Sequence, residues 1–338
     1  MSCVAERAPR VIVAGATGFA GALAAHLLWR HPRFELAAVT GRSEVGRRLD
    51  ELYPRYRVPL EIEQLDLDGQ DRIDAAVVAY PHAAAAPTVG ELRARGARVV
   101  DLSADFRLRD PAVYGEWYRE HLAPELLDDA VYGLPELYRH LLPGADLVAN
   151  PGCYPTASLL ALAPLARAGL IGDVVIDAKS GVSGAGRTAT EKTHFVTVDE
   201  NVNAYSVPRH RHTPEIEQEL AALGADKRVT FTPHLLPLDQ GELVSCYVTA
   251  TREIDPVELD ALYARAYAAE PFVEVVAQPP GVRDVRETNF CRISVHHDDR
   301  TNRVIVFGAI DNLWKGAASQ AVQNLNLMFG VTEGEGIS

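Results

Sequence analysis

A chain of 338 residues with 47% hydrophobic content can bury more than one core, and its length favours two domains. Asp and Glu number 46 against 33 Lys and Arg, a formal charge of -13 that repels phosphate backbones and anionic bilayers. Nucleic acid and membranes are therefore excluded as partners, and an anionic ligand has to be met by a local group of Arg, Lys or backbone N–H donors.

The cysteines Cys3, Cys153, Cys246 and Cys291 form no C-x-x-C pair and no Cys/His spacing that suits zinc, so no metal is expected. The first ten residues lack an apolar signal core and no apolar run is long enough to span a bilayer, which predicts a cytoplasmic protein with reduced thiols.

In chain order, Val11 to Ala14 reads as a buried parallel strand, Gly15 to Gly21 as a glycine turn, and Ala20 to Trp29 as a helix ending near His31-Pro32. Strands follow at Phe34 to Val39, Ala75 to Ala79 and Ala97 to Leu102, giving an α/β, Rossmann-like, doubly wound domain. The pattern weakens between Arg107 and Gly144. Leu147 to Ala149 is again a strand and runs into Asn150-Pro151-Gly152-Cys153, where a domain boundary is placed.

Beyond it, Val174 to Ala178, Arg228 to Thr232, Leu243 to Thr251 and Phe290 to Val295 predict an α+β domain with a mixed or antiparallel sheet. A strand at Arg303 to Ala309 leads to a last helix from about Lys315 to Phe329. Its apolar Ala318, Ala321, Val322, Leu325, Met328 and Phe329 share one face, which is expected to pack on the first domain. The expected domains are thus 1–150 completed by 313–338, and 151–312.

Gly15, Gly18 and Gly21 form G-x-x-G-x-x-G between a strand and a helix, with Thr17 and Phe19 in the same turn. Glycines let backbone approach a pyrophosphate, and the helix start offers it free N–H groups, so a dinucleotide is expected here. A turn used only for packing is the alternative. The second strand ends in Thr40-Gly41-Arg42-Ser43 rather than in an acidic residue, so Arg42 and Ser43 suit the 2′-phosphate of NADP.

Cys153 follows a strand and precedes Tyr154-Pro155-Thr156, with Pro155 read as the first helical residue. A helix dipole there favours the thiolate, although a lone cysteine can equally be a small buried hydrophobe. Cys246 and Cys291 sit in strand-like runs and are expected to be buried and inert. In His210-Arg211-His212-Thr213-Pro214-Glu215, Thr213 reads as N-cap and Pro214 as first helical residue. A helix start disfavours the imidazolium, which suits His212 to acid–base work, with His210 as a rival.

The segment Asn150 to Thr156 resembles the active-site motif of the N-acetyl-γ-glutamyl-phosphate reductases, the arginine-pathway branch of the aspartate-semialdehyde dehydrogenase superfamily. The likeness extends to Gly15 to Gly21, Asp101 to Arg107, Lys179 to Arg187, His210 to Ile216 and Asp311 to Ala318. It implies a two-domain subunit of a homodimer or homotetramer, in which Cys153 attacks an acyl phosphate, phosphate leaves, and NADPH reduces the thioester to an aldehyde.

The same resemblance assigns Arg107 and Asn150 to the substrate phosphate, Ser183 and Gly184 of the Ser180 to Gly186 loop to the cofactor, and Asn312 to the nicotinamide amide. Arg107 also follows a strand end where parallel sheets place ligands, though it could instead pair with Asp105 or Asp110. Trp314 departs from the family, which more often has a small aliphatic residue there. Other readings are a reductase of carrier-linked aminoadipyl phosphate in lysine biosynthesis, a cysteine hydrolase or acyltransferase, and a noncatalytic NADP-binding redox sensor.

Overall fold

The computed structural model describes residues 7–69 and 72–337. The chain divides into two compact units, Met1–Asn150 with Ala318–Ser338, and Pro151–Ala317. Cys3 lies outside the described residues.

The first unit is a parallel sheet. Its strands are β1 (Arg10–Ala14), β2 (Glu35–Thr40), β3 (Ile62–Glu63), β4 (Ala75–Val78), β5 (Arg98–Asp101), β6 (Ala130–Tyr132) and β7 (Leu147–Ala149), in the order β3-β2-β1-β4-β5-β7-β6. Every pairing is parallel. Val11 to Ala14 and Ala75 to Val78 are wholly buried, as continuous apolar strands must be when helices cover both faces.

Between the strands run α1 (Phe19–Trp29), α2 (Leu49–Leu52), α3 (Ala86–Ala94), α4 (Pro111–Trp117) and α5 (Pro135–Tyr138). On one face Val89 and Leu92 of α3 meet Ile12, Ala14, Ala76 and Val78. The order reverses between β1 and β4, so the strand ends there open a crevice of the kind that holds ligands in such sheets.

The second unit starts with α6 (Cys153–Arg167), continuously buried from Tyr154 to Ala166. Around it are β8 (Ile171–Ser180), α7 (Phe195–Val198), β9 (Asn203–Ala204), α8 (Thr213–Ala222), β10 (Val229–Leu235), β11 (Glu242–Ala250), α9 (Pro256–Tyr267), β12 (Val273–Val275), β13 (Cys291–Asp298) and β14 (Arg303–Ile310). The sheet order is β12-β13-β14-β11-β8-β10-β9. Two pairs are parallel, β8 with β10 and β12 with β13, and the rest antiparallel, the mixed sheet expected. Val244, Cys246 and Val248 alternate along β11 and are wholly buried on the face that packs on α6. Cys291 is buried likewise.

Three local readings are corrected. Cys153, not Pro155, is the first helical residue, with Gly152 as N-cap; Pro155 still fits, because the first-turn N–H groups have no helical acceptor. His212, not Thr213, is the N-cap of α8. The last helix is not continuous from Lys315: Trp314–Ala318 is a π turn, and α10 (Ser319–Met328) follows in the first unit, packed on α1 and β5. The chain rejoins that unit at Ala318.

Pro164 stands inside α6 and has no N–H to give to the Leu160 carbonyl. The Tyr267 hydroxyl donates to that carbonyl instead, while Tyr263 donates to the Ala161 carbonyl at 2.6 Å. Ala161 keeps its own helical donor, so Tyr267→Phe should destabilise the protein by about 1–3 kcal/mol and by more than Tyr263→Phe does. Urea unfolding of the two variants checks the ranking, and equal losses would refute this account of the proline.

Candidate active site

The sequence-predicted residues of the first unit gather at the carboxyl ends of its strands. Gly15 has φ +94 and a Cβ there would lie 2.6 Å from the Ala79 carbonyl oxygen, while one on Gly21 would lie 2.2 Å from that of Gly15. Gly18 differs: only the Gly15 oxygen, at 3.8 Å, stands near its missing Cβ. The first and third glycines are thus required by the fold, and the second leaves backbone open to a ligand at the start of α1. These residues fit a dinucleotide pyrophosphate. Tyr53 donates its hydroxyl to the Thr17 carbonyl at 2.9 Å and packs edge-on against Phe19, holding the turn.

Arg42 and Ser43 are exposed just beyond β2. The Arg42 guanidinium lies over the Tyr80 ring, 4.4 Å from its centroid, and donates to the Ala84 carbonyl at 3.3 Å. It is positioned at the strand edge and, among the described residues, engages no carboxylate there.

Arg107 and Asn150 are brought together. Arg107 is buried and donates from Nε to the Asn150 carbonyl at 2.8 Å and from Nη2 to the Leu102 carbonyl at 2.7 Å. Asp105 accepts from the amides of Ala83, Ala85 and Ala86 and from the Tyr114 hydroxyl, and Asp110 caps α4. Asn150 is buried, its side-chain oxygen accepting from Asn324 at 3.0 Å. Asp101, bonded to Ser103, is pushed up to about 7 by burial and by the nearby Asp105 charge.

In the second unit Cys153 stands half-buried at the first position of α6. The Gly152 amide donates to Glu215 Oε1 at 2.9 Å, which ties the start of α6 to the first turn of α8, where His212 is the N-cap. Gly316 closes in from the π turn: a Cβ there would lie 2.8 Å from the Cys153 Cβ.

An aromatic cluster surrounds this corner. Tyr154 packs edge-on against His210, His212 and Phe231, and the Tyr205 hydroxyl meets that of Tyr154 at 3.2 Å. The His210 and His212 ring centroids are 4.9 Å apart. His210 accepts the His212 amide at Nδ1, 3.1 Å away, which leaves its proton on Nε2. Burial, and after it the Arg211 charge, pushes His210 down to about 4. Tyr154 is driven far above its usual range by burial and then by Tyr205, Glu242 and Cys153.

Ser183, Gly184 and Asn312 also converge. Asn312 donates to the Ser183 hydroxyl at 3.0 Å and accepts from the Gly241 amide at 2.7 Å, so it clamps two loops, and the missing Cβ of Gly184 faces Ser180 and Asn312. The glycine-rich loop is held rather than loose, for the amides of Gly181, Val182 and Ser183 donate to the carbonyls of Gly241, Leu238 and Asp239.

Sequence reasoning passed over Glu215, Tyr205, Gly316 and Glu242. Glu242 had a visible signal: it is an acidic residue in register with the apolar positions Val244, Cys246 and Val248 of one strand.

Two family models match the chain. One is described as semialdehyde dehydrogenase, NAD binding domain, over residues 10–145, and the other as semialdehyde dehydrogenase, dimerisation domain, over residues 153–312. The chain belongs to the semialdehyde dehydrogenase family. Its similar curated relatives share a narrower name, N-acetyl-gamma-glutamyl-phosphate reductase. That of Desulforudis audaxviator is 52% identical over 97% of each chain, and that of Halorhodospira halophila 49% identical over 96% of each.

Among solved structures, aspartate semialdehyde dehydrogenase II of Vibrio cholerae superposes with a TM-score of 0.72 at 18% identity, covering 95% of this chain and 98% of that one. The Candida albicans enzyme with NADP gives 0.71 at 14% identity over 95% and 98%. These structures share the fold expected from the sequence. Among the described residues no helix is long and apolar enough to cross a membrane, and no cluster of His, Cys, Asp and Glu could hold a metal.

The depressed His210 affinity for protons has a measurable consequence. A folded value near 4, below the ordinary 6.5, means that the unfolded chain binds this proton more tightly. Its contribution is fully present above the unfolded value and is lost as pH falls toward 4. In an imidazole NMR titration the His210 signals should stay neutral down to about pH 5, and a midpoint near the ordinary histidine value would contradict the buried, Nδ1-accepting ring.

Proposed function

We propose that the chain is a cytoplasmic NADPH-dependent reductase that converts N-acetyl-γ-glutamyl phosphate to N-acetylglutamate semialdehyde and phosphate in arginine biosynthesis. The observation that carries this reading is Cys153 at the first turn of a buried helix, beside an acid–base cluster, in a chain about half identical to reductases of that name. The first unit is read as the cofactor domain and the second as the catalytic and oligomerisation domain of a homo-oligomer, which the description of the family model for residues 153–312 supports.

Cys153 acts as nucleophile. The helix dipole favours its thiolate, which attacks the acyl carbon; the C–S bond forms and the C–O bond to phosphate breaks. NADPH, when bound, supplies the hydride that reduces the thioester. The turn of Gly15, Thr17, Gly18, Phe19 and Gly21 would hold its pyrophosphate, Arg42 and Ser43 its 2′-phosphate, and Ser183, Gly184 and Asn312 would bound the nicotinamide. Arg107 and Asn150 would meet the substrate phosphate.

His212 is assigned the general acid–base role, at the carbonyl oxygen above all. His210 is the weaker candidate, because its Nδ1 is engaged by an amide and its low proton affinity makes it a poor acid near neutral pH. A noncatalytic redox sensor would need neither the thiol nor the second histidine, and the convergence around Cys153 favours the enzyme.

Cys153→Ser should fold and bind NADP yet lose essentially all turnover, because a serine hydroxyl is a far weaker nucleophile at neutral pH than a thiolate. Wild type mixed with acyl phosphate and no NADPH should show a hydroxylamine-sensitive acyl adduct on Cys153 by mass spectrometry; near wild-type turnover in the serine variant would sink the mechanism. For the cofactor, Arg42→Ala should weaken NADP on the order of tenfold or more and leave NAD unchanged. Equal losses in calorimetric titrations with both nucleotides would remove Arg42 from the 2′-phosphate.

A further inference from the structure

Glu242 opens β11 on the face that packs against α6. Below it on that face come Val244, Cys246 and Val248, all wholly buried, and Glu242 is as fully buried as they are. The strand pairs with β8 at Ser180 and with β14 at Ile310, and the carboxyl is enclosed from bulk solvent. Among the described residues no hydrogen bond of ordinary geometry reaches either of its oxygens. Glu242 pairs with Ile310, the next residue Asp311 stands with its carbonyl oxygen 3.3 Å from where a Gly316 Cβ would lie, and the Cys153 Cβ lies 2.8 Å from the same point, so the start of α6 meets this end of the strand, where the Cys153 thiol favours the carboxylate.

A buried carboxyl short of donors is costly, and a fourth apolar residue on this face would avoid the penalty altogether. Its retention beside the thiol requires a reason in the chemistry. We propose that Glu242 is a further catalytic residue: its buried carboxyl shares one proton with the Cys153 thiol, taking it as the thioester forms and returning it as the aldehyde leaves. The inference rests on Cys153 being the nucleophile of the reductase proposed above.

The step balances. Cys153–SH and the Glu242 carboxylate become Cys153 thiolate and Glu242 carboxylic acid. Sulfur attacks the acyl carbon, and phosphate leaves with the electron pair of the broken C–O bond. Once the thioester carbon is reduced, by the hydride that NADPH would supply when bound, the C–S bond breaks toward sulfur as the aldehyde carbonyl forms, and Glu242 returns its proton to the thiolate. His212 is left to the carbonyl oxygen.

The groups around the carboxyl suit a proton store. Burial raises Glu242 to about 8, and the Asp311 charge pushes the same way, against the opposing effect of the Cys153 thiol. Tyr154 from α6 and Tyr205 from the segment after β9 also sense both Cys153 and Glu242, and both phenols are themselves pushed up by burial, so they stay neutral. The Ser180 hydroxyl across the sheet turns to the Gly181 carbonyl at 3.2 Å. The thiol and the carboxyl therefore titrate as a pair.

The test is alkylation of full-length protein by iodoacetamide as a function of pH, followed on the Cys153 peptide by mass spectrometry; it needs no substrate. Wild type should gain reactivity in two steps, because the first proton leaves the pair as a whole and the second leaves against a negative neighbour. Glu242→Gln keeps the shape and removes the charge, so it should show one step, lying below the upper step of wild type. Glu242→Asp should restore two steps.

In the reductase assay Glu242→Gln should lose on the order of 10²-fold in kcat with little change in KM. Identical alkylation curves for wild type and Glu242→Gln would overturn the proposal even if the protein proves to be the reductase. Two steps collapsing to one, in a protein that forms no acyl adduct, would instead uphold the shared proton and defeat the reading of the reaction.

Discussion

The hydrogen bond from the Gly152 amide to the buried Glu215 carboxyl fixes where Cys153 and His212 stand. Gly152 caps α6 and Glu215 lies in the first turn of α8, so one contact joins two helix starts. First-turn amides have no acceptor within their own helix, and a carboxylate there satisfies one of them while complementing the positive end of both dipoles. Cys153 and His212 sit one residue after the first cap and at the second. Gly316 then has to approach the thiol without a side chain, which the π turn permits through the bond from its amide to the Asp311 carbonyl at 2.9 Å.

Such a corner is expensive to fold. Burial disfavours the charged forms of both His210 and Glu242, and their effects on stability run in opposite directions with pH. The raised Glu242 contributes stability that is present below its unfolded value of 4.5 and is lost as pH rises through about 8, while the lowered His210 contributes stability lost as pH falls below 6.5. The slopes oppose each other between those unfolded values, and above 6.5 only the glutamate remains. The apolar body of α6, with Leu159, Leu160, Leu162 and Leu165 wholly buried, offsets the burden.

Much of this was legible from residue pattern. Strands buried on both faces, such as β1, β4 and β7, announce themselves as unbroken apolar runs, and Gly15 to Gly21 shows where the first helix starts. Strands of two or three residues at sheet edges, β3, β9 and β12, carry no period to detect. The helix starts were misplaced because Pro fits several first-turn positions: Pro155 is third in α6 and Pro214 second in α8. Asn312 is assigned to the cofactor by resemblance alone, and its clamp on Ser183 and Gly241 joins loops far apart in sequence, which no local pattern encodes.

The fold alone does not select the acyl group. Structures of aspartate semialdehyde dehydrogenases superpose on this chain at 14% to 21% identity with TM-scores of 0.70 to 0.72, while the relatives at about half identity bear another name, so the fold is shared across names. In a chain of net charge -13, an anionic substrate must be drawn by few groups. Arg107 spends Nε and Nη2 on main-chain carbonyls, and Arg42 lies against Tyr80. Their charge remains, but their reach is fixed. Fixed donors give up the adaptability of a flexible lysine and in return lose little entropy on binding, so an anion that meets them has to fit their geometry.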